Sequence, residues 1–337
     1  MQRGDKIGSG TTPNGRYGYS VSMSSDGNVV AVGGPYDKAG GLQRGVVQIY
    51  EWSAPGTWTC IGKMQGASDR GYFGSTVSLS GDGTIVTVGA SGIVDTTYGL
   101  WGGSTTSGSG SGMYHAANFV GKVWVYERTG TGIHCSSSSW TDMNGSPIEH
   151  STFTWRSNEY SMDNGFGIGL DLSKDGATLA IGAPGAIDFS SGFDDGGKVK
   201  IYRWSSSTWN YKMTVENQAE LSAVYALNQQ SYWIWDGFGY SVSLDADGTR
   251  LAVGAPFTLM KNVDAGARMM PGRVSVFELE DSSSQLMGSV LEGNVIPKTT
   301  SNYPQDAPPW RAYGEKWSVD LFGYSVQLSD DGTILAA

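Results

Sequence analysis

The chain has 337 residues, 50 of them glycine, with 12% aromatic and only 16% charged side chains and a formal net charge of −10. Glycine at about twice its usual share of roughly 7%, beside many aromatics and few charges, is the make-up of short strands joined by tight turns. The acidic balance argues against nucleic acid, which calls for a basic stripe, and no apolar run approaches the roughly 18 residues of a membrane span.

In chain order, the opening residues MQRGDKIG contain Arg3-Gly4-Asp5 and do not read as a charged-then-apolar leader. Aligned on glycines, Gly4 and Gly8 lie over Gly62 and Gly66, and Gly288 and Gly293 form a related pair. The tripeptide therefore reads as an extended outer strand, not as an adhesion signal on a loop tip; three-residue motifs match by accident.

Five segments then align without a gap: YGYSVSMSSDG from Tyr17, FGSTVSLSGDG from Phe73, FGIGLDLSKDG from Phe166, FGYSVSLDADG from Phe238 and FGYSVQLSDDG from Phe322. The aromatic always precedes the Asp of Asp-Gly by nine residues, and in four copies a Gly (Gly33, Gly89, Gly182, Gly254) follows that Asp by seven. A third block begins at Gly45, Gly121, Gly197 and Gly272 (GVVQIYEW, GKVWVYER, GKVKIYRW, GRVSVFEL). A weaker fourth block reads TWTCIGKMQG, SWTDMNGSP, TWNYKMTV and SQLMGSVLEG. Val242 and Leu244 alternate with Ser241 and Ser243, the period of a half-buried strand. Asp-Gly between two such runs predicts a type I′ hairpin with positive φ at both central residues.

Four strands per unit, repeated, predict an all-β chain forming a β-propeller of four-stranded antiparallel blades. The blades are expected over residues 16–66, 72–148, 165–216 and 237–293, with a lone fourth strand at about 1–10 and a first hairpin at 321–337. The final TILAA stops one position short of the next expected Gly. The expectation is a segment of a longer propeller, in all seven blades, continuing into further blades of the same chain; closure into a smaller ring is the alternative.

The series Phe-Gly, Asp-Gly, Gly-Ala-Pro, Gly-x-Val-x-Val-Tyr is similar to the FG-GAP repeat of the integrin α-chain propeller. Gly-Ala-Pro is intact at 182–184 and 254–256 and degenerate at 33–35 and 89–91. The resemblance implies an extracellular or cell-surface module acting in adhesion or assembly, without catalysis. Calcium-binding members carry Asp-x-Asp/Asn-x-Asp-Gly-x-x-Asp between the first two strands. Here Asp26, Asp82 and Asp175 stand alone, and Asp245 and Asp247 are followed by Gly, Thr and Arg. A hard cation wants six or more oxygens, so no metal is expected in these loops, and no cofactor.

Function is expected on the face that carries the second-to-third-strand loops and the linkers between blades. The second-block and third-block glycines are 12, 32, 15 and 18 positions apart, and the longest insertion, Ser91 to Val120, contains GGSTTSGSGSG. Loops on a rigid scaffold are where binding usually resides. The candidate ligand-binding residues are Trp101, Tyr114, Trp155, Trp233, Trp235, Trp310 and Trp317, with Trp233 and Trp235 foremost. Amphipathic aromatics suit a protein or glycan partner; the competing reading has them packing long loops onto the disc. No catalytic residue is assigned. His115, His134 and His150 lie outside the repeated blocks, and no nucleophile elbow, phosphate loop or zinc spacing occurs. A secreted or periplasmic propeller enzyme or scaffold, with a glycoside-processing or assembly role, is the alternative. The sialidase-like Ser-x-Asp-x-Gly-x-Thr-Trp turn does not match SGDGT, where Asp and Gly adjoin and no Trp follows. Cys60 and Cys135 make one disulfide or two free thiols. Asn144-Gly-Ser is a glycosylation sequon followed by Pro147.

Overall fold

A computed structural model describes residue 7 and residues 14–53, 56–92, 121–130, 135–149, 152–155, 158–161, 163–186, 197–217, 236–257, 267–293 and 316–337. Arg3-Gly4-Asp5 lies outside the described residues. The chain is all-β, a succession of antiparallel four-stranded sheets. Unit 1 pairs β1 (Ser20–Met23), β2 (Val29–Gly34), β3 (Val46–Ser53) and β4 (Thr57–Gln65) in chain order. Unit 2 repeats this with β5 (Phe73–Leu79), β6 (Ile85–Ala90) and β7 (Lys122–Arg128), and splits its fourth strand into β8 (Trp140–Asp142) and β9 (Ile148–Glu149). A small hairpin follows, β10 (Thr152–Trp155) on β11 (Asn158–Ser161), and then β12 (Asp163–Asn164). Unit 3 holds β13 (Leu170–Leu172), β14 (Thr178–Ala183), β15 (Gly185–Ala186, paired with β12), β16 (Lys198–Ser205) and β17 (Thr208–Glu216). Unit 4 holds β18 (Ser241–Leu244), β19 (Arg250–Ala255), β20 (Ala267–Leu279) and a fourth strand again broken into β21 (Ser284–Leu286) and β22 (Leu291–Glu292). The start of β20 also pairs, in parallel, with β23 (Lys316–Phe322), which leads into unit 5, β24 (Gln327–Leu328) and β25 (Leu335–Ala336).

The second strands explain the stacking. VVAVGG, TLAIGA and their equivalents are continuous apolar runs, and β2 and β14 are buried at every position, as strands covered on both faces must be. The core accordingly lies between sheets. Val47, Ile49 and Ile61 of unit 1 pack with Phe73, Leu79 and Val86 of unit 2. Val123 and Val125 meet Phe166, Leu172 and Leu179, and Val199 and Ile201 meet Phe238, Leu244 and Leu251. Ala252 and Val274 meet Val326 and Leu328. Unit 1 differs on its other side: Val21 is 65% exposed where its counterpart Val77 is 8% exposed, because among the described residues no sheet precedes β1.

Phe-Gly is the clasp between units. It forms a type II turn, closed in unit 2 by the Ser75 N–H on the Tyr72 carbonyl at 2.9 Å, with Gly74 at φ 85° where a side chain would be strained. The Phe ring enters the preceding sheet, and the Gly carbonyl lies against the preceding second-block Gly. A Cβ on Gly182 would fall inside the Gly239 carbonyl oxygen. The Ser20 hydroxyl donates to the Gly74 carbonyl at 2.8 Å, Thr76 to Gly167 at 2.7 Å and Ser241 to Gly323 at 2.8 Å. Unit 3 has Gly169 at this position and so no hydroxyl to give.

The Asp-Gly hairpin is not the expected type I′ turn. Four residues separate the last paired positions, and only the glycine adopts positive φ (Gly27, 69°). Side chains build the turn instead. Ser24 Oγ donates to Asp26 Oδ1 at 2.6 Å and accepts from the Val29 N–H at 2.9 Å, while Asp26 Oδ1 also accepts from the Asn28 N–H at 2.9 Å. Ser80, Ser173 and Ser329 repeat the arrangement. In unit 4 Asp245 replaces the serine and takes the Arg250 N–H itself at 2.9 Å. These turns are also tied to one another through the main chain. Ser25 N–H donates to the Gly81 carbonyl at 2.8 Å, Gly81 to Lys174 at 2.7 Å, Asp175 to Ala246 at 3.3 Å and Ala246 to Asp330 at 2.9 Å.

Cys60 in β4 and Cys135 beyond β7 form a disulfide across units 1 and 2. Closing a loop of 75 residues restricts the unfolded chain by about 4 kcal/mol in the chain-entropy account. Arg128 and Glu51 (2.8 and 3.1 Å, two-pronged) and the Trp140 indole N–H on the Ile61 carbonyl (3.3 Å) lie on the same joint.

Candidate functional site

The residue after each Phe-Gly or Tyr-Gly leaves the type II turn just before the first strand: Tyr19, Ser75, Ile168, Tyr240 and Tyr324. The turn fixes its backbone, while the neighbouring Phe or Tyr supplies the packing, so this side chain is available. Tyr19 is 58% exposed and Tyr324 is 53% exposed. Tyr240 joins units 4 and 5: its hydroxyl donates to the Tyr324 hydroxyl at 3.0 Å, and the two aromatic rings are 4.9 Å apart. Phe257, just past Gly254-Ala255-Pro256, braces Tyr240 edge-on at 5.5 Å. Tyr36 takes the equivalent place after Pro35 and contacts Tyr19 at 6.3 Å and Tyr72 at 5.2 Å. The Arg16 guanidinium lies 4.2 Å above the Tyr36 ring, a cation–π contact.

Burial pushes the Tyr240 phenol up from its ordinary range, and the hydrogen bond to Tyr324 adds to this, as do the charges Tyr324 and Tyr19 would carry. The cluster presents hydroxyls and aromatic faces. Such groups bind by stacking and hydrogen bonding. They provide no nucleophile with an adjacent base. Among the described residues, no three His, Cys, Asp or Glu side chains converge as metal ligands would.

Next to the Phe238 turn, Asp236 is buried. Its Oδ1 accepts from the Phe238 N–H at 2.9 Å, and its Oδ2 from the Asn217 amide at 2.5 Å. Burial raises its carboxyl to about 7 against the opposing pull of these hydrogen bonds and of Arg273. In the turns at the far end of the units, hydroxyls have the reverse effect: Ser329 first, then Thr333, hold Asp331 at about 2.

Of the seven aromatics expected to bind, Trp101, Tyr114, Trp233, Trp235 and Trp310 lie outside the described residues. Trp155 sits in β10 opposite Asn158, and Trp317 in β23 opposite Arg268. The tyrosine cluster was not among the expected sites, because Tyr19, Tyr240 and Tyr324 lie within the repeat and read as strand sequence. The available signal was variation: Tyr, Ser, Ile, Tyr and Tyr fill one position between a fixed Gly and strand residues.

No family model matches the chain, and no curated protein does. Solved structures do. The chain is similar to a putative 6-phosphogluconolactonase from Bacteroides uniformis at 10% identity and TM-score 0.38, over 88% of this chain and 77% of that one. It is similar to Kuenenia stuttgartiensis hydrazine synthase at 11% identity and TM-score 0.41, over 94% of this chain and 66% of that one. Chaetomium thermophilum Sqt1, bound to the N-terminus of ribosomal protein L10, aligns at 12% identity and TM-score 0.38, over 81% of this chain and 62% of that one.

Proposed function

We propose that the chain is a non-catalytic binding module of the FG-GAP, integrin-α-like kind, its sheets the blades of a β-propeller. On this reading it works outside the cell or at the cell surface and takes a protein or glycan partner at the end where the Phe-Gly turns lie. The observation that carries the reading is the pair Tyr240 and Tyr324. Two phenols on rigid turns are locked together by their hydroxyls, with more than half of Tyr324 left in solvent. Exposed aromatics held rigidly give contact area at low entropic cost, the usual currency of recognition. The Cys60–Cys135 disulfide supports an oxidising compartment, and Phe-Gly acting as the clasp between sheets supports the FG-GAP resemblance.

The test is binding of the purified chain to an array of extracellular-matrix proteins and neutral and acidic glycans, beside Tyr240→Ala and Tyr324→Ala. The reading expects at least one ligand whose affinity falls about tenfold or more in both variants, as central aromatic contacts do, with thermal unfolding unchanged in Tyr324→Ala and still cooperative in Tyr240→Ala. Equal binding by parent and variants would remove this face from the reading.

A further inference from the structure

We propose that Cys60–Cys135 is a thiol–disulfide exchange site, opened in the folded protein by a dithiol reductant. Structural disulfides that resist reduction are buried; this one is at the surface. Cys135 is exposed and Cys60 half-buried. The two sulfurs are also not alike. The side-chain amide of Gln48, a residue only 8% exposed, donates from Nε2 to Cys135 Sγ at 3.3 Å, while its own Oε1 is buried without a partner. A donor aimed at one sulfur stabilises the thiolate on that sulfur, which makes Cys135 the better leaving group. Cys60 Sγ has a different neighbour, the Gly62 carbonyl at 3.4 Å. That oxygen offers nothing to a thiolate but accepts from a thiol.

The chemistry follows from this asymmetry. A thiolate of the reductant attacks Cys60 Sγ, the Cys60–Cys135 bond breaks, and its electron pair leaves on Cys135 beside the Gln48 amide. The reductant's second thiol, as thiolate, then attacks its own sulfur in the mixed disulfide and departs as a cyclic disulfide. Cys60 takes a proton and gains the Gly62 carbonyl as acceptor, and Cys135 takes a proton from water. Two electrons and two protons pass from the dithiol to the protein. The joint between units 1 and 2 survives the change because its apolar core, Ile49, Ile61, Phe73 and Leu79, does not involve the sulfurs. Beside Cys135, the chain also reaches β4 through the Lys63 N–H on the Ser136 carbonyl at 3.2 Å, a contact that does not involve the sulfurs.

The experiment treats the full chain with dithiothreitol under native conditions, traps thiols with iodoacetamide at timed intervals and reads Cys60 and Cys135 by mass spectrometry. The expected result is modification of both cysteines while circular dichroism and the cooperative thermal transition persist. Gln48→Leu is expected to slow reduction by about tenfold, because the leaving thiolate loses its donor. Gln48→Met gives a second reading should the leucine variant fold poorly. Modification no faster than global unfolding overturns the proposal, and so does a reduction rate indifferent to both substitutions.

Discussion

At one end of each unit the first two strands are joined by the same loop: Ser or Asp, any residue, Asp, Gly. At the other end the residue after Phe-Gly is Tyr, Ser, Ile, Tyr and Tyr in turn. The difference lies in what does the holding. In the Asp-Gly loop, side chains satisfy the backbone, with Ser80 Oγ taking the Ile85 N–H at 2.9 Å and Asp82 Oδ1 taking Thr84. Changing one of them leaves a donor unpaired. At the Phe-Gly end the backbone and the buried ring do the holding, so the next side chain can vary and serve recognition.

The comparison can be broken most sharply at the glycine where units touch. Gly182→Val would drive its side chain into the Gly239 carbonyl, and we expect a loss of about 5 kcal/mol, seen as insoluble protein or a collapsed urea midpoint. Cys60→Ser is expected to cost about 4 kcal/mol by the same measurement, independently of either end. Asp236→Asn tests the buried carboxyl that anchors the Phe238 turn. With its folded pKa near 7, above the ordinary 3.8, the folded protein keeps a proton that the unfolded chain releases. Its contribution is therefore fully present below about pH 4 and is lost as pH rises through 7. The variant should match the parent at pH 4 and exceed it by about 4 kcal/mol at pH 8 in parallel urea titrations. Ser80→Ala, at the Asp-Gly end, should cost about 1–2 kcal/mol through the abandoned Ile85 N–H. Tyr324→Ala, at the other end, should change stability by about 0.5 kcal/mol or less. Equal costs for these last two would erase the distinction between the ends.

Much of the fold was legible because the spaced glycines mark places where one main chain presses on another, and such contacts tolerate few other residues. The runs around Val242 and Leu179 carried the strand periods for the same reason. The loop type was not legible: Asp-Gly suggested a two-residue turn, whereas the serine two positions before Asp26 widens it to four. Nor were the broken fourth strands of units 2 and 4, whose apolar pattern is weak. The disulfide stayed undecided in the sequence because its cysteines are 75 residues apart and meet only when two sheets stack. At the candidate site, attention to the tryptophan-rich insertions passed over Tyr240 and Tyr324, whose partnership depends on two units lying side by side.

The amide bridges that run from Ser25 to Gly81, on to Lys174, and again from Asp175 and Ala246 to Asp330 all point in one direction along the chain. Load applied to the first sheet can thus reach the last through peptide groups alone, whatever side chains decorate the loops. A molecule strapped in this way can bear tension at one end while residues at the opposite end are exchanged freely.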